Sequence, residues 1–285
     1  MGRRWEELDL GPGEALGTYT SSIGDRWELA VVPQGGIVAA IAAEAMARRL
    51  DHPDQTLRTF SAVFAGRVAK GPVEVVVEVL REGRSMSQLT ATVRNPGADA
   101  GLTAIAVFGR ERRGGAFTDL SMPDVEPAEG LRGFRDPVPD DVDFEFEGEP
   151  RPFWEEIVEC RPAMGRPPWE PFEDGPAEQV FWYRLDDPPL RDDGFLDPLA
   201  ALVLCDTMPG AVGQKLGPTL GNWFGPSADF TIHLLGPARP GWLLAHNKAR
   251  HAGDGYASVE LALWDPTDAT LVAYATQVMF FSFFD

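Results

Sequence analysis

Gly35 to Leu50 reads GGIVAAIAAEAMARRL, a stretch in which nearly every residue is apolar or small. Its alanines favour a helix, paired glycines open it, and Arg48 and Arg49 fall in the last turn, where cations complement the helix dipole. A surface helix would show one polar face, so a helix of this composition must be wrapped by other structure. Downstream lie Thr59 to Phe64, Val73 to Arg81, Met86 to Arg94 and Leu102 to Arg110, rich in Val, Thr and Phe and separated by Gly or Pro turns. The pattern predicts one buried helix followed by an antiparallel sheet.

The same order returns later in the chain. A second helix is predicted over Pro198 to Leu216, followed by strands at Ala228 to Leu235, Trp242 to His251, Tyr256 to Trp264 and Leu271 to Phe281. Sliding the chain on itself by 170 residues, without a gap, sets Thr231 on Ser61, Trp264-Asp265-Pro266 on Arg94-Asn95-Pro96 and Val272-Ala273-Tyr274 on Leu102-Thr103-Ala104. Identities are few; the shared spacing of turns and strands carries the reading of an internal duplication. Between the halves, Gly114 to Pro152 is loaded with Pro, Asp, Glu and Gly and lacks periodicity, which predicts an acidic linker. The expected organisation is therefore an N-terminal unit over 1–113, a linker over 114–152 and a C-terminal unit over 153–285. Within the last unit, Phe153 to Glu159 and Gln179 to Arg184 read as strands flanking an exposed loop, Arg161 to Glu178.

Composition bounds the function. The chain has 285 residues, enough for two ordinary domains or one large one, and 25 Lys+Arg against 44 Asp+Glu give a net charge of −19. Such a field repels a phosphate backbone, so nucleic-acid binding is not expected. No basic-then-apolar leader opens the sequence. The longest apolar run, Leu271 to Phe284, is interrupted by Thr276, Gln277 and Ser282 and is too short for a membrane span. Cys160 and Cys205 are the only cysteines, too few for a disulfide scaffold or a four-ligand zinc site, and a reducing cytoplasm is the expected compartment.

Four short motifs carry a likeness: ProGlnGlyGly at 33 to 36, LeuCysAsp at 204 to 206, PheGlyProSerAlaAspPheThr at 224 to 231, and Gln277 in the last strand. Taken in order and with their spacing, they resemble the bacterial acyl-CoA thioesterase II family and its actinobacterial relatives over nearly the whole chain. The resemblance implies an α+β double hotdog fold: two long buried helices against a continuous curved antiparallel sheet. It also implies that Asp206, Ser227 and Gln277 hold the water that hydrolyses a thioester. Where the best-known members carry Thr, this chain has Ser227, which keeps the hydroxyl.

That chemistry can be reasoned from the residues. Water is a poor nucleophile and needs a base or an aligning acceptor, together with donors for the developing oxyanion. Asp206 can take the proton, while Ser227 and Gln277 can orient the water without titrating. Backbone amides at Gly35 and Gly36, at the positive end of a helix, are candidates for the substrate carbonyl, and Trp223 and Phe224 are candidates for an acyl pocket. At the 170-residue offset Asp206 falls on Gly36, Ser227 on Leu57 and Gln277 on Val107, so the polar trio exists in one half only and predicts one site per chain. Plainer readings stand beside these. Asp206 could face solvent where Pro209 bends its helix, Ser227 could be a turn residue after Gly225-Pro226, Gln277 could be a satisfied core amide, and Gly35-Gly36 could serve close packing.

Other residues point less clearly to chemistry. His52, His233, His246 and His251 form no metal spacing, Cys205 reads as a buried inert thiol, and Ser85 lacks the strand-to-helix elbow of a serine hydrolase. Arg67, Lys70 and Arg84 could meet CoA phosphates, though a solvated strand edge suits each of them. The expected function is hydrolysis of a fatty acyl-CoA or related thioester with no metal or organic cofactor, by a chain that could form a homo-oligomer. Two competitors remain. A hotdog hydratase or dehydratase would use a His with a carboxylate, but Ala211, not His, lies five residues after Asp206. The other is a non-catalytic acyl-CoA or lipid-binding module.

Overall fold

The structure, a computed structural model, describes residues 4–29, 32–139, 151–167 and 169–283. In the first half, β1 (Gly11–Pro12) and β2 (Thr18–Ile23) precede helix α1 (Gly35–Leu50), and β3 (Thr56–Phe64), β4 (Gly71–Arg81), β5 (Met86–Arg94) and β6 (Leu102–Gly109) follow it. In the second, β7 (Val158–Met164) and β8 (Glu178–Leu185) lead to helices α2 (Leu199–Cys205) and α3 (Gly210–Leu216) and strands β9 (Trp223–Phe224), β10 (Asp229–Leu234), β11 (Leu243–Gly253), β12 (Tyr256–Asp265), β13 (Thr270–Phe280) and β14 (Ser282–Phe283). Twelve strands join in one sheet, in the order β1-β2-β4-β5-β6-β3-β10-β13-β12-β11-β8-β7, and β9 and β14 form a separate ribbon. No helix among the described residues is long and apolar enough to cross a membrane.

The sheet order runs the same way from its centre outward in both directions, β3-β6-β5-β4-β2 on one side and β10-β13-β12-β11-β8 on the other. At the centre, Thr231 of β10 pairs directly with Ser61 of β3, and Thr231 Oγ1 donates to Ser61 Oγ at 3.0 Å. These are the two residues that the 170-residue offset superimposes, so the duplicated halves meet about their own symmetry point. The offset does not persist to the end. Ser61 faces Ile105 across β3–β6, whereas Thr231 faces Thr276 across β10–β13, which makes the last strand one residue longer. The extra residue is Val272, at a bulge where the β12–β13 register slips. Consequently Gln277 corresponds to buried Ala106, not to Val107, and Ala273 takes the place of Leu102. Because side chains alternate along a strand, that one-residue slip is what turns Gln277 to the core face.

Helix α1 is continuous and buried from Gly36 to Met46, as its composition requires; its one acidic core residue, Glu44, is held by Arg4 and Arg48. The second helix departs from expectation: the predicted stretch from Pro198 to Leu216 is two short helices separated by a turn at 206–209. The cause is Pro209, whose ring has no N–H for the carbonyl of Cys205 and clashes with it, so the first helix ends at Cys205. Among the described residues there is thus one long buried helix and one broken one. Likewise, Phe153–Ile157 forms a π-helical turn where a strand is predicted, and β7 begins at Val158.

The acidic stretch is more than a connector over its described part, residues 114–139; residues 140–150 lie outside the described residues. Met122, Val125, Ala128 and Leu131 lie on the outer face of the second half's sheet, over Val180, Trp182, Leu244 and Trp264. Trp182 donates its indole N–H to Glu126 O at 2.8 Å, and Arg161 donates to Ala128 O at 2.8 Å. The carboxylates of Asp119, Asp124, Glu126 and Glu129 belong to exposed residues. The loop after β7 is not wholly exposed either, since Trp169 is buried against Phe134.

If this strap is pinned as described, Trp182→Phe, which keeps a buried ring but loses the bond to Glu126, should cost about 1–2 kcal/mol in a denaturant melt. Protease nicking between Gly114 and Leu131 should accelerate in the same variant.

Candidate active site

The break in the second helix decides where a carboxylate goes. Asp206 is the first residue past α2, with φ −84° and ψ 40°, and although it sits on a turn it is only 6% exposed. Its carboxylate reaches the first turn of α1, where it accepts hydrogen bonds from the backbone N–H groups of Gly36 and Gly35. These amides lack partners inside their own helix, and the positive end of the dipole lies with them. Both glycines are required by distance. A Cβ on Gly35 would come within 2.8 Å of Asp206 Oδ2 and of the Phe64 ring, and one on Gly36 would come within 2.5 Å of Leu202 O and 2.6 Å of Val203 Cα. The glycines therefore serve both the close packing of α1 on α2 and the approach of Asp206.

Two further residues of the predicted trio converge on the same carboxylate. Ser227 follows the ribbon strand β9 and forms an isolated bridge with Met279 of β13; its Oγ donates to Asp206 Oδ1 at 3.2 Å. Gln277, 2% exposed and paired with Val259 in the sheet, donates from Nε2 to Ser227 Oγ. The loop between β9 and Ser227 packs tightly on both partners, since a Cβ on Gly225 would meet Met279 Sδ at 2.7 Å and Pro209 at 3.2 Å. The result is a directed chain of donors, Gln277 to Ser227 to Asp206, that ends at the two helix amides. Gln277 Oε1, on the other side of the amide, is buried with no hydrogen-bond partner among the described residues. It is an acceptor left over by the fold.

Burial pushes the Asp206 carboxyl up to about 7, against the opposing pull of Ser227, Gly36 and Gly35, which favour the ionised form. A carboxylate poised there accepts a proton near neutrality without being permanently ionised or permanently neutral. Its neighbour Cys205 is fully buried, and burial raises its thiol far above the ordinary range, as does burial of Cys160; neither thiol is poised as a nucleophile.

The remaining candidates sit elsewhere. Trp223 packs edge-to-face on Phe281, with ring centroids 4.9 Å apart, and donates its N–H to Gly217 O, while Phe224 pairs with Ser282 in the ribbon. Both are half-buried and neither joins the hydrogen bonds of the trio. Lys70 is held by Asp25 at 2.8 Å and Glu28 at 3.2 Å, so its charge is already answered. The closest His–carboxylate pair, His246 with Glu178 at 2.6 Å, lies on the sheet face opposite the trio, two residues along from outer-face Leu244. Gln34, part of the motif at 33 to 36 but given no role there, is 1% exposed and caps α1. The signal was its place, the residue directly before the paired glycines.

The raised carboxyl has a stability consequence. Between the ordinary carboxylate range and about pH 7 the folded chain holds a proton at Asp206 that the unfolded chain has lost, so stability falls as pH rises through that interval. Asp206→Asn should therefore stabilise the protein by about 2–4 kcal/mol at pH 8, with the gain shrinking to roughly a third of that at pH 5 and disappearing near pH 4, as read by denaturant melts across the series.

Two family models match the chain, the acyl-CoA thioesterase N-terminal domain over residues 23–109 and the acyl-CoA thioesterase C-terminal domain over residues 133–281. No curated protein matches it in sequence. Among solved structures, a conserved protein of unknown function with a hot dog fold from Alicyclobacillus acidocaldarius is 24% identical, with 97% of each chain covered and a TM-score of 0.75. An acyl-CoA thioesterase II from Mycobacterium marinum is 22% identical, with 98% of each chain covered and a TM-score of 0.73. At these identities the structural likeness is one of fold, a hotdog architecture. The family models together span most of the chain, which belongs to the acyl-CoA thioesterase family.

Proposed function

We propose that this thioesterase hydrolyses a fatty acyl-CoA or a related thioester by direct attack of a water held by Asp206, Ser227 and Gln277. The observation that supports this reading best is the hydrogen-bonded chain from Gln277 through Ser227 to Asp206, built into the second half only. Asp206 accepts a proton from the water as its oxygen attacks the thioester carbonyl. Gln277 Oε1 accepts the water's other hydrogen, and the Ser227 hydroxyl, fixed by Gln277, holds the carboxylate in line. Collapse of the tetrahedral oxyanion breaks the carbon–sulfur bond and expels the thiolate, which takes up the proton. The amides of Gly35 and Gly36 hold the ionised base; as the proton neutralises it, they become available to the oxyanion at the positive end of α1. No covalent intermediate is needed.

The acyl chain is assigned to the side of Trp223 and Phe224, whose ribbon leads directly into Ser227. Division into units over 1–113 and 153–285 around the strap accords with the mirrored strand order. Two buried free thiols suit a reducing cytoplasm.

Thiol release from a panel of acyl-CoAs tests the assignment. Asp206→Asn should lower kcat by about a hundredfold or more with folding intact, and an unchanged rate would remove Asp206 from the mechanism. Wild-type kcat should rise with pH through about 7, because only the ionised carboxylate accepts the proton. Ser227→Thr, which keeps the hydroxyl, should retain most of the activity, while Ser227→Ala should not. Loss of enoyl-CoA ultraviolet absorbance without thiol release would favour a hydratase instead.

A further inference from the structure

We infer that Gln34 is a positioning residue for the base of the reaction, acting through the backbone of the helix break. The inference rests on Asp206 being that base. Gln34 occupies the cap of α1 and uses both ends of its side-chain amide. Oε1 accepts from Ile37 N at 3.1 Å, and Nε2 donates to Val203 O at 2.9 Å and to the backbone O of Asp206 at 3.1 Å. Its own backbone N–H donates to Trp27 O at 2.8 Å, so the residue is anchored on both sides.

The first turn of a helix offers more N–H groups than it can use, and the last turn more carbonyls. Here the two surpluses face each other, the start of α1 against the end of α2, and Gln34 divides them. It takes the third amide of α1 for itself and leaves the first two, Gly35 and Gly36, to the Asp206 carboxylate. At the same time it occupies Val203 O and Asp206 O, carbonyls at the end of α2 and in the break that follows it. One side chain thereby fixes the separation between the carboxylate and the two amides that oppose its protonation. Asn247 answers the next carbonyls of the break, with Nδ2 donating to Met208 O at 3.0 Å and Thr207 O at 3.4 Å, but it makes no bond to Asp206 or to α1. Gln34 is the amide that spans the two helices.

Gln34→Met keeps the length and burial and removes all three side-chain bonds. Gln34→Ser keeps a neutral cap acceptor for the first turn of α1 and is too short to reach the two carbonyls, which separates the clamp from the cap. In both variants kcat toward an acyl-CoA should fall about tenfold to a hundredfold with KM within about twofold. The rising limb of the kcat–pH profile should move to higher pH, because the ionised carboxylate loses its amides. Asn95→Leu serves as the control. Asn95 makes the same set of three bonds in a remote turn, accepting from Ala69 N and donating to Ala69 O and Pro72 O. It should lower the melting temperature comparably and leave the limb in place. Should Gln34→Met fail to fold, Gln34→Ser carries the same readout without adding a charge. A limb that stays at its wild-type pH or moves down in the folded variants overturns the inference, whatever happens to stability. Full activity in Asp206→Asn would instead overturn the assignment of the base, so the two failures are distinguishable.

Discussion

Pro209 cannot give the carbonyl of Cys205 the hydrogen bond that would carry the second helix onward, and the candidate site follows from that missing bond. The break places Asp206 at the positive end of α1, a position that a continuous helix would not offer. A buried carboxylate is costly to desolvate, and what moderates the cost is local: two glycine amides, one hydroxyl and the helix dipole. The glycines in turn exist because the helices approach too closely for any Cβ. Proline, carboxylate, glycines and the capping glutamine form one arrangement in which each residue makes sense only beside the others.

The two halves of the sheet share one strand order, and the candidate site lies where they differ. The equivalents of the trio in the first half are Gly36, Leu57 and Ala106, residues with no polar side chain. Two of the three differences are substitutions alone. The third also needed a change of register, because an uninterrupted β13 would point its Gln277 outward, and the bulge at Val272 reverses that. The outer face differs as well. Part of the second half's sheet, around Val180, Trp182, Leu244 and Trp264, is covered on its outer face by the strap from Met122 to Leu131 as well as by the helices within, whereas β4 and β5 of the first half alternate buried and exposed.

Much of this was legible in the sequence, for reasons specific to each element. Helix α1 announced itself by lacking a polar face, and the strands of both halves by turn spacing. The trio was legible through the likeness to a family and through its absence from the sister half. The break in the second helix was under-read. Pro209 signals a bend and leaves a solvent-facing Asp206 open, and only the packing of α1 against the turn shows that it is buried. The strap was missed because its polar composition resembles a free linker; the clue lay elsewhere, in the unbroken apolar runs Val180 to Tyr183 and Leu261 to Trp264, which no sheet with one wet face would carry. A one-residue bulge leaves no compositional mark at all, and sequence sliding cannot see it. Gln34 was hidden because an amide at a helix cap looks like any other cap.

The ends of the sheet carry a consequence of their own. Twelve strands in a single layer would ordinarily present two long rows of unused peptide groups, an invitation to open-ended polymerisation as concentration rises. Here one terminal strand is only Gly11–Pro12, and the other contains Pro162 and is partly overlaid by Phe134, whose N–H bonds to Cys160 O. Each proline subtracts a donor where a foreign strand would need one. At these two terminal strands a foreign strand therefore finds fewer of the donors that strand addition needs.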